Sequence, residues 1–451
     1  MSRFYNLEQA PFNSRELSNR IVAAISSQYN GAYFDAQDLS TMFQDAAGKV
    51  PVTAMEQPVG RWLDKSGNGN HATQSMTASR PVVSARYNLL TKTEQLNDTV
   101  WNAGASVTYA GSNGYSVARN SSTTETRIRQ AITIPPSPVS ITLRVKIKAN
   151  SVTWAKLRLL SIDSSPSVSD DYAFFNVSNG TVGSFGSLVT SAKIYPDGDF
   201  FVCEISGVSL PSSSGAPQFV DICPAAYNGA PSGNGSIGES IYVKQPELVF
   251  SSNSNMKYQR VTTATDYDTV GFKKYLKFDG IDDFMNMPYL GLYINGSSSI
   301  VAARSALSQA TDTYVISERS ASNVTPKYFP SRQLANAGNM DTYIVNDAAT
   351  VIADTVGSAY AGASNAVISS AIDSGNNIKL FKNGSLAAND NYTRSGALTL
   401  TNSTIGASVS TTTSNYANMK LYGLVIAKSA LSDPERRRVE RLLAYNSGAQ
   451  I

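Results

Sequence analysis

Hydrophobic and polar residues alternate along several segments of this chain. In residues 139–149, Val, Ile or Leu occupies every second position up to 147, and Ser, Thr, Arg or Lys fills the positions between. Side chains of a β-strand point alternately to its two faces, so this pattern predicts a strand with one buried and one wet face. Residues 275–278, 378–382 and 421–427 predict further strands. The Asn383-Gly384 pair after the second of these predicts a tight hairpin.

One early segment has helical spacing instead. Leu17, Ile21 and Ile25 lie four residues apart and share one helix face, with Asn13 or Ser14 placed to cap the helix. Asn30-Gly31 then favours its end. Such a helix either anchors the chain to a partner or packs against its own domain, and the sequence leaves both open.

A second helix is predicted near the end of the chain. Ser432 and Glu435 have the spacing of a capping box, and residues 446–448, Asn-Ser-Gly, favour a stop. Val439, Leu442 and Leu443 supply the face that we expect to be buried. The basic cluster in this helix, interrupted by glutamates, is interpreted as its solvated face and not as a phosphate site; it comprises Arg436, Arg437, Arg438 and Arg441.

Composition supports an all-β protein of two or three domains. The chain has 451 residues, of which 42 % are hydrophobic and only 16 % charged, against about 25 % charged in typical soluble domains. Ser, Thr, Asn and Gly replace the charged residues, as in short strands joined by polar turns.

Charge and hydropathy exclude two classes of partner. The net charge is +3, from 37 basic and 34 acidic residues with no basic run, which argues against nucleic acid. No apolar stretch approaches the length of a membrane span, so no membrane insertion is expected. The N-terminus lacks the pattern of a secretory signal, so synthesis in a host cytoplasm is the expectation. Cys203 and Cys223 are then expected to be reduced and buried, with a disulfide between neighbouring strands as the weaker alternative.

Three motifs in order resemble one family. Residues 62–74, W-L-D-K-S-G-N-G-N-H-A-T-Q, precede Arg80-Pro81; L-K-F-D-G-I-D-D-F occupies 276–284; and an apolar strand with a closing helix occupies 421–448. Together with the hairpin at 383–384 they resemble the phage-encoded concanavalin A-like (laminin-G-like) domains. The resemblance implies a concanavalin A-like jelly-roll sandwich.

The first two motifs of that family usually lie close together, whereas about 190 residues separate them here. An insertion into a surface loop, whose ends stay close, accounts for this spacing. The insert, N-L-L-T-K-T-E-Q-L at 88–96 with Trp101, then Q-P-E-L at 245–248 with Tyr258 and V-T-T-A-T at 261–265, resembles carbohydrate-binding-like sandwiches of phage tail and fibre proteins. Pro246 replaces the usual Leu.

The helical spacing of the first residues and the two resemblances together divide the chain into three ranges. An N-terminal arm or helix covers 1–30, with anchoring as one of its roles. A split sandwich covers 31–87 plus 270–451, and an inserted sandwich covers 88–265.

The resemblances imply a non-enzymatic structural protein of a bacteriophage virion, either tail-, fibre- or baseplate-associated or decorating the capsid. Its partners would be other virion proteins, further copies of itself and host surface polysaccharide. One alternative is a carbohydrate-binding module for host recognition. A second alternative is a polysaccharide depolymerase, which is the weakest because such enzymes are typically repetitive β-helices and no repeat is visible. Fold alone does not separate these functions.

Catalytic chemistry has few candidates. The single histidine, His71, lies inside a turn motif, so a triad or a multi-histidine zinc site is not expected. Asp279, Asp282 and Asp283 cluster, as do Asp170 and Asp171. For the first cluster we expect bonds to backbone N–H groups of a tight turn, with a Ca²⁺ site as a weaker alternative and catalysis as the weakest. No other cofactor is expected.

Sugar binding would need aromatic side chains at an accessible surface. Trp62 and Trp101 lie inside the framework motifs and are expected in the cores. Trp154 lies outside these motifs and is the one weak candidate for ligand binding. The 23 tyrosines suit either a sugar surface or a protein interface.

Overall fold

A computed structural model describes residues 20–22, 24–122, 126–132, 139–162, 171–209, 218–230, 234–251, 254–293, 296–306, 312–320, 327–334, 339–359, 365–409 and 414–451. Antiparallel sheets dominate this part of the chain, which confirms the all-β prediction. Within it, no helix has the length and apolar character needed to cross a bilayer. The described residues form two compact units: one runs up to Ser84 and resumes at Lys273, and the other is Ala85–Phe272.

The first unit is called the split sandwich, because its strands come from both ends of the chain. Before the second unit begins, it contributes five short strands: β1 (Ala32–Asp35), β2 (Met42–Phe43), β3 (Arg61–Trp62), β4 (Ala72–Thr73) and β5 (Val82–Ser84).

The second unit is called the inserted sandwich, and its described residues form twelve strands. They are β6 (Trp101–Ala103), β7 (Ser106–Tyr109), β8 (Tyr115–Ala118), β9 (Ile128–Ile132), β10 (Val139–Ala149), β11 (Trp154–Ile162), β12 (Tyr172–Asn176), β13 (Thr181–Phe185), β14 (Val189–Asp197), β15 (Phe200–Ser209), β16 (Gln218–Ala225) and β17 (Ser240–Phe250).

The split sandwich then resumes and ends in a helix. Its remaining elements are β18 (Tyr275–Asp279), β19 (Met285–Met287), β20 (Ser298–Ala306), β21 (Thr313–Arg319), β22 (Lys327–Gln333), β23 (Asn339–Val345), β24 (Val351–Ala359), β25 (Ala366–Ile372), β26 (Asn377–Lys382), β27 (Ser385–Asn391), β28 (Asn402–Ile405), β29 (Ala407–Val409), β30 (Ser414–Tyr416), β31 (Asn418–Ala427) and helix α1 (Asp433–Ser447).

Two sheets of the split sandwich enclose one hydrophobic core. Sheet I has the order β27-β26-β25-β20-β31-β18-β5, with β1 also paired to β31, and sheet II has the order β2-β3-β4-β19-β28-β21-β22-β23-β24. Trp62 is fully buried and its ring centroid lies 5.1 Å from that of Phe34, which confirms its predicted place in the core. Both sheets supply core residues, among them Met42, Leu276, Phe278, Ile300, Tyr328, Ile344, Ile405 and Leu424.

Local sequence signals account for several turns of this unit. Asn383 and Gly384 both have positive φ, 48° and 79°, and join β26 to β27 as the predicted hairpin. Ser432 and Glu435 form the predicted capping box of α1, and Gly448 ends this helix in the left-handed region.

The turn at 64–70 is a clasp centred on one carboxylate. Asp64 accepts hydrogen bonds from the backbone N–H groups of Tyr33 (2.9 Å), Ser66 (2.8 Å) and Asn70 (3.0 Å), and from the Ser66 hydroxyl (2.7 Å). The Gly31 carbonyl accepts bonds from Ser66 Oγ, Asn68 Nδ2 and Asn70 Nδ2. The polar side chains of this motif therefore join the turn to the start of β1.

The N-terminal helix packs against its own unit. Residues 20–22 and 24 are helical, a π-helix spans Ile25–Tyr29, and Asn30 ends it at φ 44°. Ile21 and Ile25 are buried, and the Tyr29 hydroxyl donates to Glu435 of α1 at 2.5 Å. This outcome favours packing over anchoring for the described part; the proposed cap and Leu17 lie outside the described residues.

One prediction for α1 is wrong. Val439, Leu442 and Leu443 are buried as expected, but Arg436 is also buried and does not belong to the solvated face. Its guanidinium lies 3.5 Å from the ring centroid of Phe381 and pairs with Glu440 at 2.5 Å. An arginine on the sheet-facing side of the helix is tolerated because both its charge and its flat face have partners.

The inserted sandwich also has two sheets. Sheet III has the order β14-β15-β10-β17-β8-β7 and sheet IV the order β13-β12-β11-β16-β9-β6. In β10, Ile141, Leu143, Val145 and Ile147 are fully buried while Arg144, Lys146 and Lys148 are not, which confirms the predicted alternation for these residues. Thr142 departs from the prediction, because it is also fully buried. Trp101 is buried, as expected.

Both cysteines are buried and neither forms a disulfide, which confirms the main expectation for them. Cys203 lies in β15 of sheet III and Cys223 in β16 of sheet IV. The idea that they face each other across neighbouring strands is wrong, because the two strands belong to different sheets.

Replacement of Asp64 by Asn tests the clasp. The amide offers N–H groups where Asp64 now accepts from Ser66 and Asn70, so buried donors lose their acceptor at a cost of about 2–3 kcal/mol. We expect the melting transition of the split sandwich to fall by roughly 5–10 °C in calorimetry, while a separate transition of the inserted sandwich stays unchanged.

The matched control is Asp45→Asn. Asp45 also accepts backbone bonds, from Lys49 and Val50, but in an exposed turn where water replaces lost partners. It should shift the same transition by less than half as much. Equal melting of Asp64→Asn and the parent protein would show that the clasp does not stabilise the fold.

Candidate functional site

A groove of about 240 Å³ lies on the outer face of sheet III. Its floor is formed by β14, β15, β10 and β17, which are consecutive in the sheet, and its rim by the segment after β17. The lining residues are Arg144, Val145, Lys146, Tyr195, Asp197, Val202, Gln245, Glu247, Met256, Lys257 and Tyr258.

The alternation of apolar and polar residues in β10 explains why the floor of the groove is polar. Its apolar residues point into the core, so Arg144 and Lys146 necessarily point outward. Arg144 lies opposite Glu204 of β15 and Glu247 of β17, while Lys146 lies opposite Val202. The wet face seen in the sequence is therefore the floor of the groove.

Arg144 joins this floor to the rim. Its guanidinium pairs with Glu247 and donates to the backbone carbonyls of Ser254 (2.6 Å) and Met256 (3.0 Å). The other oxygen of Glu247 accepts from the backbone N–H of Gln259 at 3.1 Å. Burial raises the pKa of the Glu247 carboxyl, and Arg144 acts against that rise. These bonds hold the rim segment in a fixed position.

A β-bulge shapes the groove at β17. The pairing of β10 with β17 shifts between Arg144 and Lys146, and Gln245 has φ 55°, in the left-handed region that residues with a Cβ rarely adopt. Bulges re-aim side chains and recur next to binding sites, and strained residues persist where the surroundings fix them. Here the bulge turns Gln245 into the groove lining.

Two tyrosines supply aromatic surface and hydroxyl groups. Tyr195 is 40 % exposed, and burial together with nearby Glu204 raises its pKa. The Tyr258 hydroxyl lies 2.7 Å from Thr93 Oγ1 and 2.8 Å from Glu94 Oε1, and burial raises its pKa strongly. Both phenols thus remain protonated at neutral pH.

The candidate Trp154 lies on the other sheet. It is half-buried on β11 of sheet IV, where it packs against a small cluster that includes Phe174 and Ala225. Among the described residues its indole N–H has no hydrogen-bond partner. The structure therefore separates Trp154 from the groove, and its role in ligand binding stays a prediction.

The acidic cluster is brought together as expected. Carboxylate oxygens of Asp279, Asp282 and Asp283 lie within 4.8 Å of one another. Asp279 accepts from the backbone N–H of Ile281 (2.8 Å), Asp283 accepts from that of Asp279 (2.9 Å), and the Ser79 hydroxyl donates to Asp282 (3.0 Å). These contacts are those of the predicted turn; Ca²⁺ binding stays a prediction.

The remaining candidates also have structural partners. His71 Nδ1 accepts from the backbone N–H of Asp64 at 3.0 Å, and burial followed by nearby Arg61 lowers its pKa, which keeps the imidazole neutral. Asp171 pairs with Arg158 at 3.2 Å. Asp170 lies outside the described residues.

Sequence reasoning found parts of this groove and missed the rest. The sequence predicted that the polar residues of β10 face solvent and that the Q-P-E-L segment belongs to the framework of the inserted sandwich. It did not predict that the two form one groove. Tyr195 gave no signal, because β14 is largely exposed and lacks clear alternation. Only strand order brings Tyr195, Arg144 and Glu247 together.

No protein-family model and no curated protein sequence matches this chain. Part of the chain is similar to the CBM40 of a Ruminococcus gnavus IT-sialidase bound to α2,3-sialyllactose, with 17 % identity, a TM-score of 0.31 and coverage of 37 % of this chain and 94 % of that one. The binding domain of botulinum neurotoxin DC in complex with SialylT has 14 % identity, a TM-score of 0.31 and coverage of 39 % and 44 %. Identities and TM-scores this low carry no argument about this chain. The description of its two units as sandwiches rests on their strand pairing.

Replacement of Asp283 by Asn tests the acidic cluster. Burial, then the neighbouring Asp279, raises the pKa of Asp283 to about 7. The folded state therefore holds this proton more tightly than the unfolded state, and stability is lost as pH rises from about 4 through 7. The difference in melting temperature, variant minus parent, should grow more positive from pH 5 to pH 8 in EDTA.

Asp373→Asn is the control of opposite sign. Burial acts to raise the pKa of Asp373, but bonds from Asn377 and Gly375 lower it overall, so this variant should lose stability at pH 8. Adding millimolar Ca²⁺ at pH 8 would raise the parent's melting temperature above that of Asp283→Asn only if the cluster binds the ion. Destabilisation of Asp283→Asn in EDTA at pH 8 would contradict the raised pKa.

Proposed function

We propose that this chain is a carbohydrate-binding protein and that the groove on sheet III is its glycan site. The observation that carries the proposal is the groove itself, a concave surface with exposed tyrosine, amide and charged groups fixed by a bulge and a buried ion pair. Pockets that bind small ligands combine apolar walls with a few fixed polar groups. Its volume has room for a single sugar ring.

The chemistry of the lining suits a polyhydroxylated ligand. A sugar offers C–H faces to aromatic rings and hydroxyl groups to hydrogen-bonding side chains. Tyr195 supplies an exposed ring, and Gln245 supplies an amide that both donates and accepts. Arg144 holds the rim in position before the ligand arrives. Binding therefore costs little conformational entropy of the rim segment.

Binding without hydrolysis is the favoured activity. A glycosidase needs two carboxyl groups free to act on one bond. The two carboxylates of the groove already have partners: Glu247 pairs with Arg144, and Asp197 pairs with Lys146. The depolymerase alternative therefore lacks a free pair of acids in this groove.

The finer proposal is that this binding protein belongs to a bacteriophage virion. It is supported by the resemblance of residues 62–74, 276–284 and 421–448 to phage-encoded domains, and it includes other virion proteins and further copies of the chain as partners. Mass spectrometry of gradient-purified phage particles should find the chain at a constant copy number per particle. Its presence in the lysate alone, and never on particles, would overturn this role.

Tyr195→Ala tests the glycan site on an array of bacterial surface polysaccharides that also carries sialyllactose. Loss of the exposed ring should weaken binding of the best ligand at least about tenfold, or ~1.4 kcal/mol, with unchanged melting. Tyr227→Ala is the matched control, because Tyr227 is similarly exposed at 49 % but does not line the groove.

Trp154→Ala distinguishes the two faces of the inserted sandwich. We expect it to bind as the parent does. Weaker binding by Trp154→Ala together with normal binding by Tyr195→Ala would move the site to sheet IV, and an array without any signal would contradict carbohydrate binding.

A further inference from the structure

The outer face of sheet III carries more positive charge than its own carboxylates neutralise. Strands β10, β14, β15 and β17, the turn after β14 and the rim at 254–258 contribute six basic and four acidic side chains. Each carboxylate has one of these basic partners. The pairs are Arg144–Glu247, Lys146–Asp197, Lys148–Asp199 at 3.4 Å and Lys193–Glu204 at 3.6 Å.

Two lysines remain outside these pairs. Lys257 lines the groove, and its Nζ lies 5.2 Å from the ring centroid of Phe272. Lys244 is not a lining residue but lies beside the groove, next to the lining residue Gln245 and opposite the lining residue Lys146, with its Nζ 3.8 Å from the ring centroid of Phe200. Within the described part of the chain neither ammonium group has a carboxylate partner. The aromatic rings position both charges without cancelling them.

This arrangement favours an anionic ligand. The half-buried Lys244 loses part of its hydration against the Phe200 ring. A groove walled by protein also weakens solvent screening of the charge of Lys257. A ligand carboxylate would supply the missing counter-charge, whereas a neutral sugar would leave both lysines unpaired. Steering by the excess charge would also raise the association rate at low salt.

We infer that the groove takes a carboxylate-bearing sugar residue of an acidic polysaccharide, with Lys257 and Lys244 as the residues that select for its charge. This inference rests on the proposed glycan site and adds the class of ligand. Sulfate or phosphate groups on a polysaccharide offer similar charge, and the test separates them from carboxylates.

The test prints each acidic polysaccharide of the array in its native form and after chemical reduction of its carboxyl groups to alcohols. Hyaluronate, polygalacturonate and sialyllactose serve as defined probes beside the bacterial polysaccharides, and single-stranded DNA serves as a polyanion without sugar carboxylates. The full-length parent protein should bind its best native ligand at least tenfold more tightly than the reduced form.

The variants assign this preference to residues. Lys257→Met and Lys244→Met keep the apolar stem but remove the charge, and each should weaken binding of the native ligand at least threefold without affecting the reduced form. Lys193→Met is the control: it removes the same charge from the same sheet face, but Lys193 already has a carboxylate partner in Glu204. It should leave the preference unchanged.

The outcomes separate the inference from the proposed function. Equal binding of native and reduced polysaccharides shows a glycan site without charge selection and overturns the inference alone. Tight binding that a sulfated or phosphorylated polysaccharide keeps after reduction of its carboxyl groups assigns the lysines to sulfate or phosphate and also overturns it. DNA binding as tight as glycan binding would do the same. No signal on any glycan, native or reduced, contradicts the proposed function itself.

Discussion

The pairing of Ser84 with Tyr275 is the constraint on which this architecture depends. The chain leaves the split sandwich after β5 and returns in β18, and these two strands are antiparallel neighbours in sheet I. The next neighbour, β31, comes from the far end of the chain, and β1 also pairs with it. The inserted sandwich holds its own ends together, since Gln259 bonds both the Ala85 carbonyl and the Asp268 carbonyl. Because each unit closes on itself, a long insert disturbs neither core.

The motif residues that first suggest a lectin-like protein serve this closure. Trp62 fills the core, Asp64 gathers backbone N–H groups, and Asn88 accepts from and donates to the backbone near both ends of the insert. Side chains whose polar groups already form buried hydrogen bonds cannot also bind a ligand. Ligand chemistry therefore has to come from residues outside the motifs, on the wet faces of the sheets.

The groove on sheet III shows how a wet face becomes a site. A flat sheet offers no concave surface, but the bulge at Gln245 and the rim held by Arg144 create one. In the buried ion pair, Arg144 also donates to two backbone carbonyls and Glu247 also accepts from the N–H of Gln259. Such additional hydrogen bonds offset the free-energy cost of removing two charges from water. Ion pairs on the same sheet face neutralise its carboxylates, and among the described residues Lys244 and Lys257 have aromatic rings but no carboxylates as partners.

The sequence by itself determined the features that depend on a few neighbouring residues: the alternation in β10, the hairpin at Asn383-Gly384, the turn at 64–70 and the capping box of α1. Backbone preferences and side-chain reach set these over short distances. Tertiary structure decided the burial of Arg436, the separation of Cys203 from Cys223, and the meeting of Arg144 with Glu247, which lie 103 residues apart in the chain. These depend on which strands become neighbours. That order is fixed by burial of two whole cores, a property that no short segment carries.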